Sequence, residues 1–323
     1  MIARLAILFC QVLIFIGIPA LLALLCRWLA PRKYWKWAAF ACTLLLWGII
    51  AYGVYVGFED VEVQQVEYVS ADLPKAFDGY RIVQFSDAHV GTFKGSRQWM
   101  LQRAVDIINA QQADAIVFTG DLQNLRPEEL EPHIDALSKL HAKDGVFAVL
   151  GNHDYAIYIN VDSLTREKNN ERTQQLFRQT GWTLLMNEHR IVSRDSDSIV
   201  IAGMENWGEK HRMPRKGDVK KTLSCPSPLT TRPFVVMLSH DPSSWRAKIL
   251  PECDAQLTLS GHTHGGQFSL FGWSPVAWTY SEWQGMTYEG PRALYVSTGL
   301  GGLIPFRLGM PAEIVVITLK RDK

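Results

Sequence analysis

The sequence predicts a layered α/β domain standing behind a pair of N-terminal membrane helices. Three observations lead there. The first 58 residues hold two charge-free stretches of 22 residues each. From about residue 80, short β-branched apolar runs alternate with helical patterns. Asp, Asn and His residues then gather at the ends of those runs.

Residues 5–26 and 37–58 are the charge-free stretches. At about 1.5 Å rise per residue each spans roughly 33 Å, enough for the hydrocarbon core of a bilayer. The first is long for the apolar part of a cleaved signal peptide and is preceded by one basic residue only. Residues 1–58 therefore read as a transmembrane helical hairpin with the lipid bilayer as its partner. The connection from Arg27 to Lys36 carries four basic residues and no acidic one, and Glu59, Asp60 and Glu62 follow the second helix. The positive-inside bias places that short loop in the cytoplasm and the remainder of the chain outside. Trp28, Tyr34, Trp35, Trp37, Tyr52 and Tyr55 stand where interfacial aromatic rings are expected.

The formal net charge of +1 conceals an asymmetry, because all 32 acidic residues but only 28 of the 33 basic ones follow position 58. The part outside the membrane is mildly acidic, so no nucleic-acid partner is expected and a nuclease is disfavoured. Cys225 and Cys253, the two cysteines beyond the apolar stretches, lack CxxC or Cys/His spacing and read as unpaired thiols.

After a connecting segment at 59–79, the domain at 80–323 shows apolar runs at 81–87, 115–121, 146–152, 198–204, 234–240, 255–262, 293–299 and 312–319. Their length and their Gly, Pro and Asp boundaries predict buried strands. Helical patterns fall around 96–112 and 128–141, and in the first of them Leu101, Val105 and Ile108 recur at three- and four-residue spacing.

Asp87 and His89 follow the first run, Asp121 ends the second, Asn152, His153 and Asp154 end the third, His240 ends the fifth, and His262 and His264 follow the sixth. Five of the nine histidines lie at these ends, a concentration that scattered surface histidines would not show. Two divalent ions about 3.5–4 Å apart need a bridging carboxylate with imidazole and oxygen ligands, and such a pair clamps both oxygens of a phosphoryl displacement. Asp87, His89, Asp121, Asn152, His240, His262 and His264 supply that mixture.

The blocks D-x-H at Asp87–His89, G-D at Gly120–Asp121, G-N-H-D at Gly151–Asp154, H-D at His240–Asp241 and G-H-T-H-G-G-Q at Gly261–Gln267 occur in that order. The pattern resembles the calcineurin-like metallophosphoesterase superfamily. The G-H-T-H-G-G-Q ending, with Gly299–Gly302, Pro305, Arg307 and Pro311–Glu313, looks like its bacterial membrane-anchored or exported phosphodiesterase branch.

The resemblance implies a four-layer αββα sandwich of two mixed sheets and two divalent ions per subunit, Mn, Fe or Zn. Asp87, His89 and His264 would hold one ion, Asn152, His240 and His262 the other, with Asp121 bridging. His153 matches the catalytic histidine that stabilises the transition state or protonates the leaving oxygen, and Asp154 would orient it. The reaction implied is attack of a metal-bound hydroxide on a phosphodiester, phosphomonoester or pyrophosphate bond of a lipid-linked or envelope substrate. The location implied is the bacterial inner membrane, multi-pass, with the catalytic domain extracytoplasmic. One departure stands out. Where phosphoprotein phosphatases carry G-D-x-x-D-R-G, this chain has Asn124 and Leu125 in place of the later Asp and Arg. That argues against a phosphoprotein substrate.

Other residues have two readings each. Arg307 either grips a substrate phosphate with its planar fork or forms a structural ion pair. The aromatic segment 268–288, with Trp273, Trp278 and Trp283, either packs a long loop or forms a rim for acyl chains. His133, His141, His189 and His211 read as solvated or locally bonded, and the basic run 212–221 as a solvated loop or, alternatively, a surface for phospholipid headgroups. Two alternatives compete with the leading reading. One is a pyrophosphatase of the UDP-diacylglucosamine type in lipid A synthesis, which needs a cytoplasmic catalytic face. The other is a non-catalytic receptor retaining the fold, which should have lost ligands, and none is missing. Oligomeric state is not legible.

Overall fold

The computed structural model describes residues 12–211, 213–226 and 232–322, in two compact units, Met1–Val56 and Gly57–Lys323. In the first unit, α1 (Ile18–Leu29) and α2 (Trp35–Tyr52) pack against each other. A π turn carries α2 on to Gly57, so Trp35–Gly57 is 23 residues of apolar helix, long enough to cross a membrane. The described part of the first apolar helix, Leu13–Leu29, is shorter, and residues 5–11 of the span expected there lie outside the described residues. Helix α1 ends three residues beyond the expected boundary, with Arg27 in its last turn, where a cation complements the helix dipole.

The second unit holds two six-stranded sheets. One contains β1 (Val61–Ser70), β2 (Arg81–Phe85), β3 (Ala115–Phe118), β4 (Val146–Ala148) and β5 (Thr183–Leu184). The other contains β6 (Glu188–Arg194), β7 (Asp197–Gly203), β8 (Phe234–Leu238), β9 (Leu257–Ser260), β10 (Gly285–Glu289) and β11 (Arg292–Val296), while β12 (Ala312–Arg321) returns to the first. The orders are β1-β12-β2-β3-β4-β5 and β10-β11-β9-β8-β7-β6. Each mixes parallel and antiparallel pairs.

Side-chain alternation builds the layers. Along β12, Val315, Ile317 and Leu319 enter a cluster with Phe234, Val236 and Leu238 of β8, so this core lies between the sheets. Ile314 and Val316 point to the opposite face, into a cluster with Leu101, Val105 and Ile108 of α3 (Trp99–Ala110) and with Leu176 and Phe177 of α4 (Ser163–Gln179). Val235 and Met237 of β8 likewise face outward and pack with Val219, Trp245 and Ile249. The result is the four-layer αββα sandwich. Asp162 starts α4 as an N-cap, its carboxylate accepting the Thr165 N–H at 2.9 Å.

Two expectations are corrected. Residues 61–70, read as connecting segment, form β1, paired in parallel with all ten residues of β12. Its Gln64–Gln65 pair interrupts the apolar alternation, and as an edge strand it buries little, which hid it in the sequence. The helix expected at 128–141 is two 3-10 turns, Pro127–Glu129 and Glu131–His133, followed by a single α turn, Ile134–Leu137. Pro132 lacks an amide donor and disfavours helical backbone at Glu131, so no long helix propagates. Cys225 and Cys253 are free thiols.

Candidate metal centre

Five loops at strand ends converge on one place. Asp87 and His89 follow β2, Asp121 follows β3, Asn152 and His153 follow β4, His240 follows β8, and His262 and His264 follow β9. Asp87, His89, Asp121, His262 and His264 all adopt left-handed backbone, with φ between 44° and 74°. Such φ values are strained for residues other than Gly and persist only where surrounding structure holds them. Here the holding contacts are specific. The Asp87 carboxylate accepts the His262 N–H at 2.9 and 3.1 Å, tying the loop after β2 of one sheet to the loop after β9 of the other. The Asp121 carboxylate accepts the His153 N–H at 2.8 Å. A Cβ at Gly151 would fall on Asp121, and one at Gly261 on Ser86 and Asp87, so both loops need glycine to approach.

Three donor sets result among the described residues, each with donor atoms within 4.8 Å of one another: Asp87, His89 and His264; Asp121, His240 and His262; and, between them, His89, Asp121 and His153. Asp121 lies between the first two, its Oδ2 3.2 Å from His240 Nε2 and 3.8 Å from His89 Nε2. Asn152 Oδ1 reaches His240 Nε2 at 3.1 Å. His89 Nδ1 donates to the Gln123 carbonyl at 3.1 Å and His240 Nδ1 to the Thr119 carbonyl at 2.7 Å, which turns both Nε2 lone pairs inward. Those Nε2 atoms then face His264 Nε2 and His262 Nδ1, each at 3.2 Å. Two close nitrogen pairs beside buried carboxylates fit a pair of divalent cations, with one oxygen-rich and imidazole-rich set for each.

Electrostatics favours the same occupant. Burial holds His89 down to about 3 and His262 down to about 4, and holds His264 well below its ordinary value, so these imidazoles stay neutral, the form that can ligate a cation. Burial alone would raise Asp121, yet the imidazoles of His240, His153 and His89 hold it well below the carboxylate range. The same coupling overcomes burial at His240 and lifts it to about 10, marking the spot where positive charge is stabilised.

His153 stands against this centre, its ring edge-on to His89 with centroids 4.9 Å apart. Its Nδ1 meets the main-chain carbonyl of Asn124 at 2.5 Å, and its ring stacks on Tyr158 at 4.3 Å. Asp154, expected to orient His153, is elsewhere engaged. It accepts the N–H groups of Asp121, Leu122, Gln123 and Gly151 at 2.8–3.2 Å, and so fastens the Asp121 loop to the Gly151 turn. Burial and the neighbouring Asp121 push its carboxyl up to about 7 against those four donors.

A profile of the family described as calcineurin-like phosphoesterase matches residues 80–266. The chain belongs to this family. It is a metal-dependent phosphoric ester hydrolase. Among similar calcineurin-like phosphoesterases is the uncharacterized metallophosphoesterase YkuE of Bacillus subtilis, 32% identical over 84% of this chain and 90% of its own length. A transmembrane protein with metallophosphoesterase domain from Danio rerio is 30% identical over 86% of this chain, which spans 62% of that longer protein. The UDP-2,3-diacylglucosamine pyrophosphatase LpxG of Chlamydia trachomatis is 27% identical over 82% of this chain and 92% of its own. Transmembrane relatives and the apolar helix Trp35–Gly57 together indicate membrane association.

In this calcineurin-like phosphoesterase, Arg307 does not present the phosphate-binding fork expected of it. The side chain is fully buried, and its two terminal nitrogens donate to the carbonyls of Met310, Pro311, Thr298, Gly299 and Gly301 at 2.8–3.2 Å. It clamps the loop from 298 to 311. Trp273 and Trp278 are exposed and pack edge to face at 4.9 Å, whereas Trp283 is half-buried and accepts the Thr263 hydroxyl through its carbonyl.

Tyr280 carried no site assignment in the sequence. Its hydroxyl lies 2.6 Å from His262 Nε2, the nitrogen pointing away from the centre. Gln123 was missed as well, though it accepts from Thr173 and donates to the His153 carbonyl. Both act through folded neighbours far along the chain, so no spacing signal could have found them.

Proposed function

We propose that this enzyme is held in the bacterial inner membrane by both hairpin helices, with its catalytic domain outside, and hydrolyses a phosphodiester or pyrophosphate bond of a lipid-linked substrate. The observation that supports it most is the pair of donor sets on either side of Asp121, whose Oδ2 lies 3.2 Å from His240 Nε2 and 3.8 Å from His89 Nε2. Asp87, His89 and His264 would hold one divalent ion, Asn152, His240 and His262 the second, and Asp121 both. When bound, such ions lower the pKa of water and screen the charge of a phosphoryl group. His153 donates its Nδ1 proton to Asn124, so the proton it exchanges with a leaving oxygen sits on Nε2. Tyr158, stacked on that ring and bonded through its hydroxyl to Asn152, keeps it aimed.

A metal-screened assay of the purified protein against phosphomonoesters, phosphodiesters, nucleotide-linked lipids and phospholipids tests the chemistry. Hydrolysis of a lipid-linked diester or pyrophosphate is expected. Turnover of soluble monoesters alone would overturn the substrate class.

A second reading has its own support. The likeness to a UDP-2,3-diacylglucosamine pyrophosphatase spans 82% of this chain and 92% of that protein. That substrate calls for a cytoplasmic catalytic face, against the four basic residues between Arg27 and Lys36. An active C-terminal alkaline phosphatase fusion supports the outward face. An inactive one, with an active cytoplasmic reporter at the same position, favours the second reading.

A further inference from the structure

Two uncharged loops leave the metal centre and end in exposed apolar side chains. The first, Phe268–Tyr280, carries Phe271 and Trp278, which are 99% and 81% exposed, with Leu270 and Trp273 beside them. The second, Gly299–Phe306, carries Leu303 and Ile304, also exposed. Both are rigidly built. Gln267 Nε2 donates to the carbonyls of Ile304 and Phe306 at 3.0 and 2.9 Å, and the Ser269 and Leu308 amides bond across to Leu308 and Gln267. Their inner ends are fastened to ligand-bearing backbone. Ser274 Oγ donates to the carbonyl of Gly265, next to His264, and the Gly301 N–H donates to the carbonyl of Asp87.

The same end of the domain receives the chain from the apolar helix. That helix ends at Gly57, and Phe58 is already buried in the core beside Phe93. The Asp60 carbonyl accepts the N–H of Ala312, at the start of β12, just past the loop that Arg307 clamps. Glu62 and Gln64 of β1 line one cavity of about 530 Å³ together with Ser269 and Gly272 of the aromatic loop. Only three residues of chain separate the end of that helix at Gly57 from the start of β1 at Val61, whereas a free linker of even ten residues could reach about 33 Å.

We infer that this rim, led by Phe271, Trp278 and Ile304, is a membrane-docking surface that enters the interface of the bilayer crossed by the adjoining helix. The inference rests on the anchored-enzyme reading above and deepens it. Trp and Phe rings are stable at headgroup depth, where their faces leave water without stranding polar atoms. An uncharged rim tethered at that depth meets lipid before any other partner. It presents the metal centre to phosphates carried at the membrane surface, so the substrate class is a phosphate ester or anhydride attached to acyl chains.

The test uses the full chain in phosphatidylcholine vesicles and in vesicles of acyl-brominated phosphatidylcholine, whose bromines quench only the tryptophans they touch. The chain has 11 tryptophans. If the rim lies in lipid, W273F/W278F removes quenched emitters and the quenched fraction falls. If the rim lies in water or against a second copy, the same change removes unquenched emitters and the fraction rises, which overturns the inference. This readout needs no turnover, so a wrong substrate leaves it decided. Kinetics supply the second arm. F271S/W278S/I304S should lower kcat/KM on a vesicle-borne phosphodiester by about 10-fold or more while a soluble aryl phosphodiester changes by less than about 2-fold. Equal losses on both would mean that the side chains merely support the fold, and would also overturn it.

Discussion

The Nδ1 of His153 lies 2.5 Å from the main-chain carbonyl of Asn124, so a backbone oxygen holds the imidazole that stands over the candidate metal centre. Position 124 itself is an asparagine, and it is the main-chain carbonyl of that residue that meets the ring. His153→Ala should lower kcat by about 10²–10⁴-fold, the range for lost general acid help, with both metals retained. Unchanged turnover on a substrate with a poor leaving group would remove His153 from the reaction.

Asp121 is the carboxylate within reach of both donor sets. Asp121→Ala should therefore abolish activity and lower bound metal more than Ala at Asp87, Asn152 or His264. Elemental analysis finding two ions still bound in Asp121→Ala would disprove the bridging assignment.

The Tyr280 hydroxyl fixes the orientation of His262 from behind, and burial with Asp241 nearby raises its pKa so that the phenol stays neutral. Outer partners of this kind are worth about 10–100-fold in metal affinity. Tyr280→Phe should weaken one metal site by that factor in a chelator competition, with turnover restored at saturating metal. Wild-type affinity would show that His262 needs no such support.

Arg307 donates to five carbonyls inside the protein, and removing it takes their side-chain donor from Met310, Thr298 and Gly301, while Gly299 and Pro311 keep the Glu313 N–H and the Thr298 hydroxyl. Arg307→Met should destabilise the domain by about 3 kcal/mol or more, read as a lower thermal midpoint in detergent. A variant of normal stability with a raised KM alone would return Arg307 to the phosphate-binding role.

Asp114 receives Lys143 and Arg194, each at 2.8 Å, and the Arg81 N–H at 2.8 Å. Burial alone would raise its pKa, but these donors lower it below the usual carboxylate value. A depressed folded pKa contributes stability above the unfolded value of about 3.9, lost as pH falls through the folded one. Asp114→Asn should therefore flatten the acid limb of the stability curve below about pH 4. A limb as steep as that of the wild type would assign acid unfolding to other carboxylates.

Apolar period and ligand order are local properties, and the sequence by itself determined what depends on them. The eight expected strands, the helix around Leu101, Val105 and Ile108, and the convergence of Asp87, His89, Asp121, His240, His262 and His264 were all legible. Each rests on residues close together in the chain, or on a motif whose own spacing carries it. The edge strand at 61–70 was not legible, because it gains its pairing from β12 some 250 residues later rather than from its own pattern. Nor were the roles of Asp154, Arg307 and Tyr280. A carboxylate, a guanidinium and a phenol each serve either a substrate or the fold, and their composition is the same in both cases. Which donors and acceptors they meet is set by loops that approach only when the sheets pack, so the tertiary structure alone committed Asp154 to four amides, Arg307 to five carbonyls and Tyr280 to the back of His262.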